Sequence, residues 1–225
     1  MNSYDPGQKL HTVTKVLEMF VNVPVYEFPT KLPKSLCDEI NDYYVNNVAP
    51  RPGLLGDKGD SKTDSTSRNV KVRWCQQDDW VGPFIYQYIT QANEHLWQYD
   101  ITGIYYNNLH HLEYEPGMFH TWHVDSTGLD YTAYVPPVSN TIAPLYKEYV
   151  RKLSFTLQLS DEEDYTGGDM EFEIPSNKEI LDIKNAGKER GTLAIFDPRT
   201  RHRVTPVESG KRNALVGWVV GPRWK

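Results

Sequence analysis

His123 and Asp125 stand two residues apart in the run Phe119-His120-Thr121-Trp122-His123-Val124-Asp125-Ser126. On a β-strand, side chains at i and i+2 share one face, about 6–7 Å apart along the chain. A metal ion can be gripped between an imidazole and a carboxylate so placed. His120 is three residues before His123, so on a regular strand it faces away and is the weaker ligand candidate. A His-x-Asp tripeptide alone carries little weight, because the spacing also arises by chance. His202 changes that. It follows the turn Asp197-Pro198-Arg199 and opens the run His202-Arg203-Val204-Thr205-Pro206-Val207. The remaining histidines compete poorly. His11 and His95 read as structural, and the adjacent His110 and His111 face opposite sides of a strand, so at most one can reach a given site.

Two imidazoles and one carboxylate on one side of a metal leave three adjacent octahedral positions open, the donor set of non-haem Fe(II) oxygenases. A hydrolytic zinc site can use the same ligand types, so the ligands alone leave both chemistries open. Arg212 helps to decide. It lies ten residues after His202, and the two runs around Glu208-Ser209-Gly210 read as a hairpin. Folding that hairpin back puts Arg212 about four residues, or ~13 Å, along the ladder from His202. A five-carbon keto-diacid bridges such a gap. Its keto-acid end chelates the metal and its far carboxylate meets the guanidinium fork.

His123-Val124-Asp125, the distal His202, and Pro206-Val207 with Gly210 and Arg212 resemble the 2-oxoglutarate- and Fe(II)-dependent dioxygenases. Within that superfamily the pattern is similar to prolyl 4-hydroxylases, and most of all to PKHD-type hydroxylases. Tyr114-Glu115-Pro116-Gly117-Met118-Phe119 resembles the strand that precedes their His-x-Asp. Lys152 to Ser160, followed by Tyr165-Thr166-Gly167-Gly168-Asp169-Met170-Glu171-Phe172, resembles their central strand and Gly-Gly hairpin. Leu193-Ala194-Ile195-Phe196 resembles their penultimate strand. The likeness runs from about Tyr105 to Trp218. It implies that His123, Asp125 and His202 hold Fe(II) and that Arg212 binds the far carboxylate of 2-oxoglutarate. Tyr114 is implied to donate its hydroxyl to the same cosubstrate. Gln158 stands where many prolyl hydroxylases have a cosubstrate-contacting tyrosine. O2 as co-reactant, L-ascorbate to rescue oxidised iron, and a peptide, protein or amino-acid substrate follow from the same resemblance. So does the fold, a double-stranded β-helix (jelly roll) with N-terminal helices on its larger sheet. The alternative from another class is a non-catalytic, cupin-like metal- or carbohydrate-binding jelly roll.

The elements that must position these residues fit that frame. Val21 to Phe28 reads as a strand, with Pro24 favouring a sheet edge. Pro33 to Val45 reads as a helix through Leu36, Ile40 and Tyr44, and Asp79 to Tyr99 as another through Phe84, Tyr88, Ala92 and Leu96. Beyond Gly103 short Tyr/Val/Ile/Thr-rich runs alternate with turn residues. The strands read there are Ile104–Asn108, His111–Tyr114, Phe119–Val124, Lys152–Ser160, Asp169–Glu173, Gly191–Phe196, His202–Val207 and Arg212–Val219. Gly53 to Asn69 and Thr127 to Lys147 read as loops bordering the site's mouth, the second a lid.

The 225 residues, with 39% hydrophobic and 12% aromatic content, suit a single domain spanning 1–225, helical support before about residue 100 and a β core after it. The net charge of -6 argues against a nucleic-acid partner. No run approaches the ~18–20 apolar residues that span a membrane. Two cysteines, Cys37 and Cys75, and no visible secretory signal suggest a cytoplasmic setting with buried thiols. No GxGxxG, P-loop or CxxC motif supports a nucleotide or cluster cofactor.

Overall fold

The computed structural model describes residues 24–53, 66–74, 80–104, 108–126, 149–175 and 181–224. The larger sheet contains β1 (Val25–Glu27), β2 (Arg51–Pro52), β4 (Lys71–Trp74), β5 (Leu109–Tyr114), β7 (Tyr149–Gln158), β11 (Leu193–Phe196) and β14 (Arg212–Pro222), in the order β1-β11-β7-β14-β5-β4-β2. The smaller sheet contains β3 (Arg68–Asn69), β6 (Phe119–His123), β9 (Met170–Pro175), β10 (Leu181–Asn185) and β12 (His202–Val204), in the order β10-β9-β12-β6-β3. A short ribbon pairs β8 (Tyr165–Gly167) with β13 (Val207–Gly210). This is the double-stranded β-helix, with β1 at a sheet edge as Pro24 requires.

Alternation along the strands divides the larger sheet into two faces. On β7, Leu153, Phe155 and Leu157 point outward, and with Leu193, Ile195, Leu215 and Val219 they form one buried cluster. Two α-helices, α1 (Lys34–Asn47) and α2 (Val81–His95), cover it with Cys37, Ile40 and Tyr44 and with Val81, Ile85 and Ile89. Pro33 sits at the N-cap of α1, where its missing N–H costs nothing. The inward face meets the smaller sheet across Val72, Leu112, Tyr114, Ala194 and Phe196 against Met170, Phe172 and Val204. Each large aliphatic or aromatic side chain so buried contributes about 1.5–3 kcal/mol.

Several elements differ from the sequence expectation. The buried stripe of α2 runs through Val81, Ile85, Ile89 and Ala92, whereas Phe84, Tyr88 and Leu96 flank it half-buried. Both series repeat at helical spacing, and only the first meets the sheet squarely. Strand β10 was not foreseen, because Leu181 and Ile183 both stay exposed and its apolar residues mark no core. The loop read over Gly53 to Asn69 ends in β3, and residues 54–65 lie outside the described ones. Thr127 to Lys147, Tyr105 to Asn107 within the strand read at Ile104, and Cys75 lie outside them too. Cys37 is buried and free.

His110 and His111 do face opposite ways. His111 is fully buried beneath α1, with Nε2 3.0 Å from Asn41 Oδ1. Burial, helped by the Arg73 charge, pushes its pKa down to about 3. An unfolded chain takes up this proton near pH 6.5, whereas the folded chain does not. Stability therefore falls as pH drops from about 6.5 towards 3, by up to about 1.4 kcal/mol per pH unit for one proton. Glu113, held down to about 2 by Lys71 and Arg73 against its own burial, loses its contribution only below its unfolded pKa of 4.5. Denaturant melts at pH 7 and pH 5 thus leave Glu113 out, and comparison with a His111 variant separates this ring from the other buried histidines whose pKa is lowered. His111→Phe should lose less stability between those two values than the wild-type chain, and equal losses would refute the assignment.

Candidate active site

The end of β6 and the start of β12 bring the metal-ligand candidates together. His123 ends β6 and His202 opens β12, and the two are directly paired across the smaller sheet. Asp125 lies two residues past β6. Its carboxylate faces both rings, with Oδ1 3.7 Å from His123 Nε2 and Oδ2 3.5 Å from His202 Nε2. One ligand atom from each residue lies within 4.8 Å of the others, a spacing that suits a shared divalent ion. The tautomers are set by the backbone. His123 Nδ1 is 2.8 Å from the Thr121 carbonyl and His202 Nδ1 is 2.8 Å from the Thr200 carbonyl. A carbonyl only accepts, so each Nδ1 carries the proton and each Nε2 presents its lone pair to the site. Burial also pushes the His123 pKa down to about 4, which keeps the ring neutral and ligand-competent at neutral pH.

Asp125 is held by residues the sequence reading did not single out. Its backbone N–H, and that of Ser126, donate to the Pro198 carbonyl at 2.9 and 3.1 Å. Arg151 donates to its carbonyl oxygen at 2.9 Å, and Ser154 Oγ donates to Oδ2 at 2.8 Å. Burial alone would raise its pKa. The neighbouring His202, His123 and Arg151, with a hydrogen bond from Trp218, hold it below the ordinary carboxylate range instead. Asp197-Pro198-Arg199, read from sequence only as a turn, is itself braced. Tyr99 donates to Asp197 Oδ2 at 3.0 Å and Arg199 Nε donates to Oδ1 at 2.8 Å.

His120 does not face away. The register between β6 and β12 shifts, because His202 opposes His123 while Val204 opposes His120. Three residues on one strand thus span two on the other, a bulge that turns His120 back toward the site. Its ring stacks on His123 at 3.6 Å between centroids. Even so, the three residues whose ligand atoms could share one metal ion are His123, Asp125 and His202, and His120 packs beside them.

The expected hairpin between the His202 and Arg212 runs does not form. β12 pairs with β6 and β9 in the smaller sheet, and β14 pairs with β5 and β7 in the larger. Pro206 cannot donate to a ladder, and its carbonyl is taken by Gly168 N at 3.0 Å, so the chain leaves the smaller sheet there. Arg212 therefore sits opposite Tyr114 on β5, with its guanidinium carbon 5.4 Å from that ring's centre. Both are buried. Gly168 makes the path, since its φ is +61° and a Cβ there would stand 3.1 Å from Arg212 Cδ. The Tyr114 hydroxyl is fully buried and makes no hydrogen bond. Such a group costs about 1–3 kcal/mol unless a partner arrives, and a carboxylate between it and Arg212 would supply one. Gln158, by contrast, uses its amide on Tyr165 Oη at 2.8 Å. A separate cleft of about 490 Å³, lined by Tyr26, Phe28, Tyr88 and His95, contains none of these residues.

Residues 109–220, from β5 through most of β14, match the family described as the 2OG-Fe(II) oxygenase superfamily. The chain belongs to that superfamily. A PKHD-type hydroxylase of Parvibaculum lavamentivorans is 42% identical over 67 residues, 30% of this chain and 28% of that protein. One from Synechococcus elongatus is 34% identical over 106 residues, 47% of this chain and 40% of that protein. The alignments thus span well under half the length of these curated relatives. Among solved structures, a Pseudomonas putida prolyl-4-hydroxylase superposes with a TM-score of 0.62 at 16% identity, covering 95% of this chain and 100% of its own. A prolyl hydroxylase of Trichoplax adhaerens, in complex with a peptide fragment of the hypoxia inducible factor oxygen degradation domain, gives 0.63 at 17% identity, covering 96% and 93%. Those likenesses establish the shared fold. Among the described residues, both α-helices of this oxygenase, α1 and α2, lie before the family match.

The ligand set is tested by metal binding alone. His123→Ala, Asp125→Ala and His202→Ala should each weaken Mn(II) binding at least tenfold, as calorimetric titration reads it. His120→Ala should retain it within a few-fold. Loss of binding in His120→Ala with retention in His123→Ala would exchange the two histidines' roles.

Proposed function

We propose that the chain, as one domain over residues 1–225, is a 2-oxoglutarate- and Fe(II)-dependent dioxygenase. Its substrate class is a prolyl residue in a peptide or protein, or a free amino acid. O2 use is coupled to decarboxylation of 2-oxoglutarate to succinate, and L-ascorbate restores oxidised iron. The setting is cytoplasmic, with neither nucleic acid nor membrane as partner; among the described residues no helix is long and apolar enough to cross a bilayer. One observation carries the reading: the His-Asp-His cluster and the Arg212–Tyr114 pair, with its unbonded phenol, face the interior of the same two-sheet fold.

His123, Asp125 and His202 would hold the iron, which supplies the oxidising chemistry when bound. The remaining work belongs to the chain. Thr121 and Thr200 carbonyls fix both imidazole tautomers. Ser154 and Arg151 fix the carboxylate's orientation. Arg212 offers a permanently charged, forked donor to the far carboxylate of 2-oxoglutarate, and the Tyr114 hydroxyl donates beside it. No side chain has to act as a general base.

The test is succinate formation with added Fe(II), ascorbate and 2-oxoglutarate, followed by a screen of peptides and amino acids that stimulate it. Removing a buried charged partner typically costs ~2–5 kcal/mol, or roughly 30-fold to several thousandfold in affinity. Arg212→Ala should raise the 2-oxoglutarate requirement by that much with little change in metal affinity. Arg212→Lys should recover only part, because an ammonium lacks the fork. His202→Ala should abolish turnover at every 2-oxoglutarate concentration. A chain that binds metal but never turns over 2-oxoglutarate would instead be a cupin-like binder.

A further inference from the structure

Gln158, the last residue of β7, is buried and places its Nε2 2.8 Å from Tyr165 Oη and 3.4 Å from the Ser160 carbonyl. The carbonyl can only accept, so the amide nitrogen must face both groups and donate to them. The Tyr165 oxygen is therefore an acceptor in this pair, and its own proton is left to donate elsewhere. Among the described residues no acceptor takes it, although Tyr165 is only 4% exposed.

The surroundings show where that proton can go. Tyr165, Gln158, Thr156, Gly168, Lys188 and Arg212 line one small cavity. A Cβ on Gly168 would lie 3.1 Å from Arg212 Cδ and 3.3 Å from Tyr165 Cε2, so the arginine stem and the phenol ring flank the same glycine. Lys188 is committed elsewhere. Its Nζ donates to the Gly167 carbonyl at 2.9 Å, pairs with Asp169 at 3.2 Å and caps the Tyr165 ring at 4.7 Å. That cap holds the ring while the hydroxyl stays on the cavity side, beside Gln158.

We propose that Tyr165 is a cosubstrate-binding residue whose hydroxyl, turned by Gln158, donates to the far carboxylate of 2-oxoglutarate alongside Arg212. The inference rests on the reading of Arg212 given above. It makes Gln158 a positioning residue rather than a contact. The amide donates to the phenol oxygen, which polarises the O–H and strengthens it as a donor to an anion. A 2-oxo acid of the same length without the far carboxylate gains nothing from the arrangement.

The experiment uses the full chain loaded with Mn(II), which binds without turnover, and reads ligand affinity by calorimetry. The ligands are 2-oxoglutarate and 2-oxopentanoate, which carries a methyl in place of the far carboxylate. Tyr165→Phe should weaken 2-oxoglutarate roughly tenfold to a hundredfold, the loss of one hydrogen bond to a charged group. The same variant should leave Mn(II) and 2-oxopentanoate affinity unchanged, which also reports an intact fold. Gln158→Met should weaken 2-oxoglutarate less, and the double variant should be no weaker than Tyr165→Phe. If Tyr165→Phe binds 2-oxoglutarate like wild type while Arg212→Ala does not, the proposal is overturned and the site reading survives. If Arg212→Ala also binds normally, the site reading fails and the proposal falls with it. Additive losses in the double variant would overturn the positioning role of Gln158.

Discussion

A carboxylate taken out of water must be faced by positive charge or hydrogen-bond donors, and Asp125 imposes that constraint on the whole interior. Its two oxygens look at His123 and His202, Ser154 and Trp218 also bond the carboxylate, and Arg151 donates to the residue's carbonyl. Those partners come from four strands, β6, β7, β12 and β14, so the strands cannot slide without breaking the set. The backbone is pinned as firmly, because Pro198 accepts from both Asp125 and Ser126. Tyr99 and Arg199 then brace the turn that carries Pro198. Burial disfavours the charged form of the His123 ring, and both Nε2 lone pairs face the carboxylate, so a divalent ion is the natural counter-charge for it.

Strand β7 links that end of the site to the other. Its inward residues are Ser154, Thr156 and Gln158, two apart each time. Ser154 bonds the Asp125 carboxylate and Gln158 bonds Tyr165 beside Arg212. Four residues of extended chain set the spacing at ~13 Å. The distance inferred from a folded-back hairpin is thus the right size but belongs to a different element. A rigid central strand keeps it better than a hairpin could, since β7 is hydrogen-bonded on both sides, to β11 and β14.

What could be read from residues alone divides along physical lines. The pairing of His123 with Asp125 was legible because i and i+2 side chains share a face even where the strand ends, and exposed Val124 between them points away. The place of His120 was not, because a bulge depends on the partner strand's register and leaves no mark in spacing. Arg212 was legible as a forked cation downstream of the distal histidine. Its strand partner was not: Tyr114 was implied only by the resemblance, and Pro206 diverts the chain between sheets before Arg212 is reached. Ser154 was visible only as an alternating polar position in an apolar strand, Gln158 was marked as a cosubstrate contact by the resemblance alone, and Tyr165 stood two residues before a glycine pair. Neither pattern says which side chains meet. Helix α2 shows the same limit, since Phe84 and Tyr88 share helical spacing with the truly buried Val81, Ile85 and Ile89.

The polar row on β7 also explains why half the chain lies outside the family match. Ser154, Thr156 and Gln158 bring little apolar surface to the interior and would make a poor core strand by themselves. Leu153, Phe155 and Leu157 alternate with them on the opposite face, where α1 and α2 bury all three to within 1% of full coverage. At about 1.5–3 kcal/mol for each such side chain, that outer layer offsets the polar inner one. The helices over 34–47 and 81–95 touch neither the triad nor Arg212, yet they stabilise the strand on which the spacing between them depends. The sheet face that performs chemistry can stay polar because its reverse is covered by residues 34–47 and 81–95, which the matched segment 109–220 does not include.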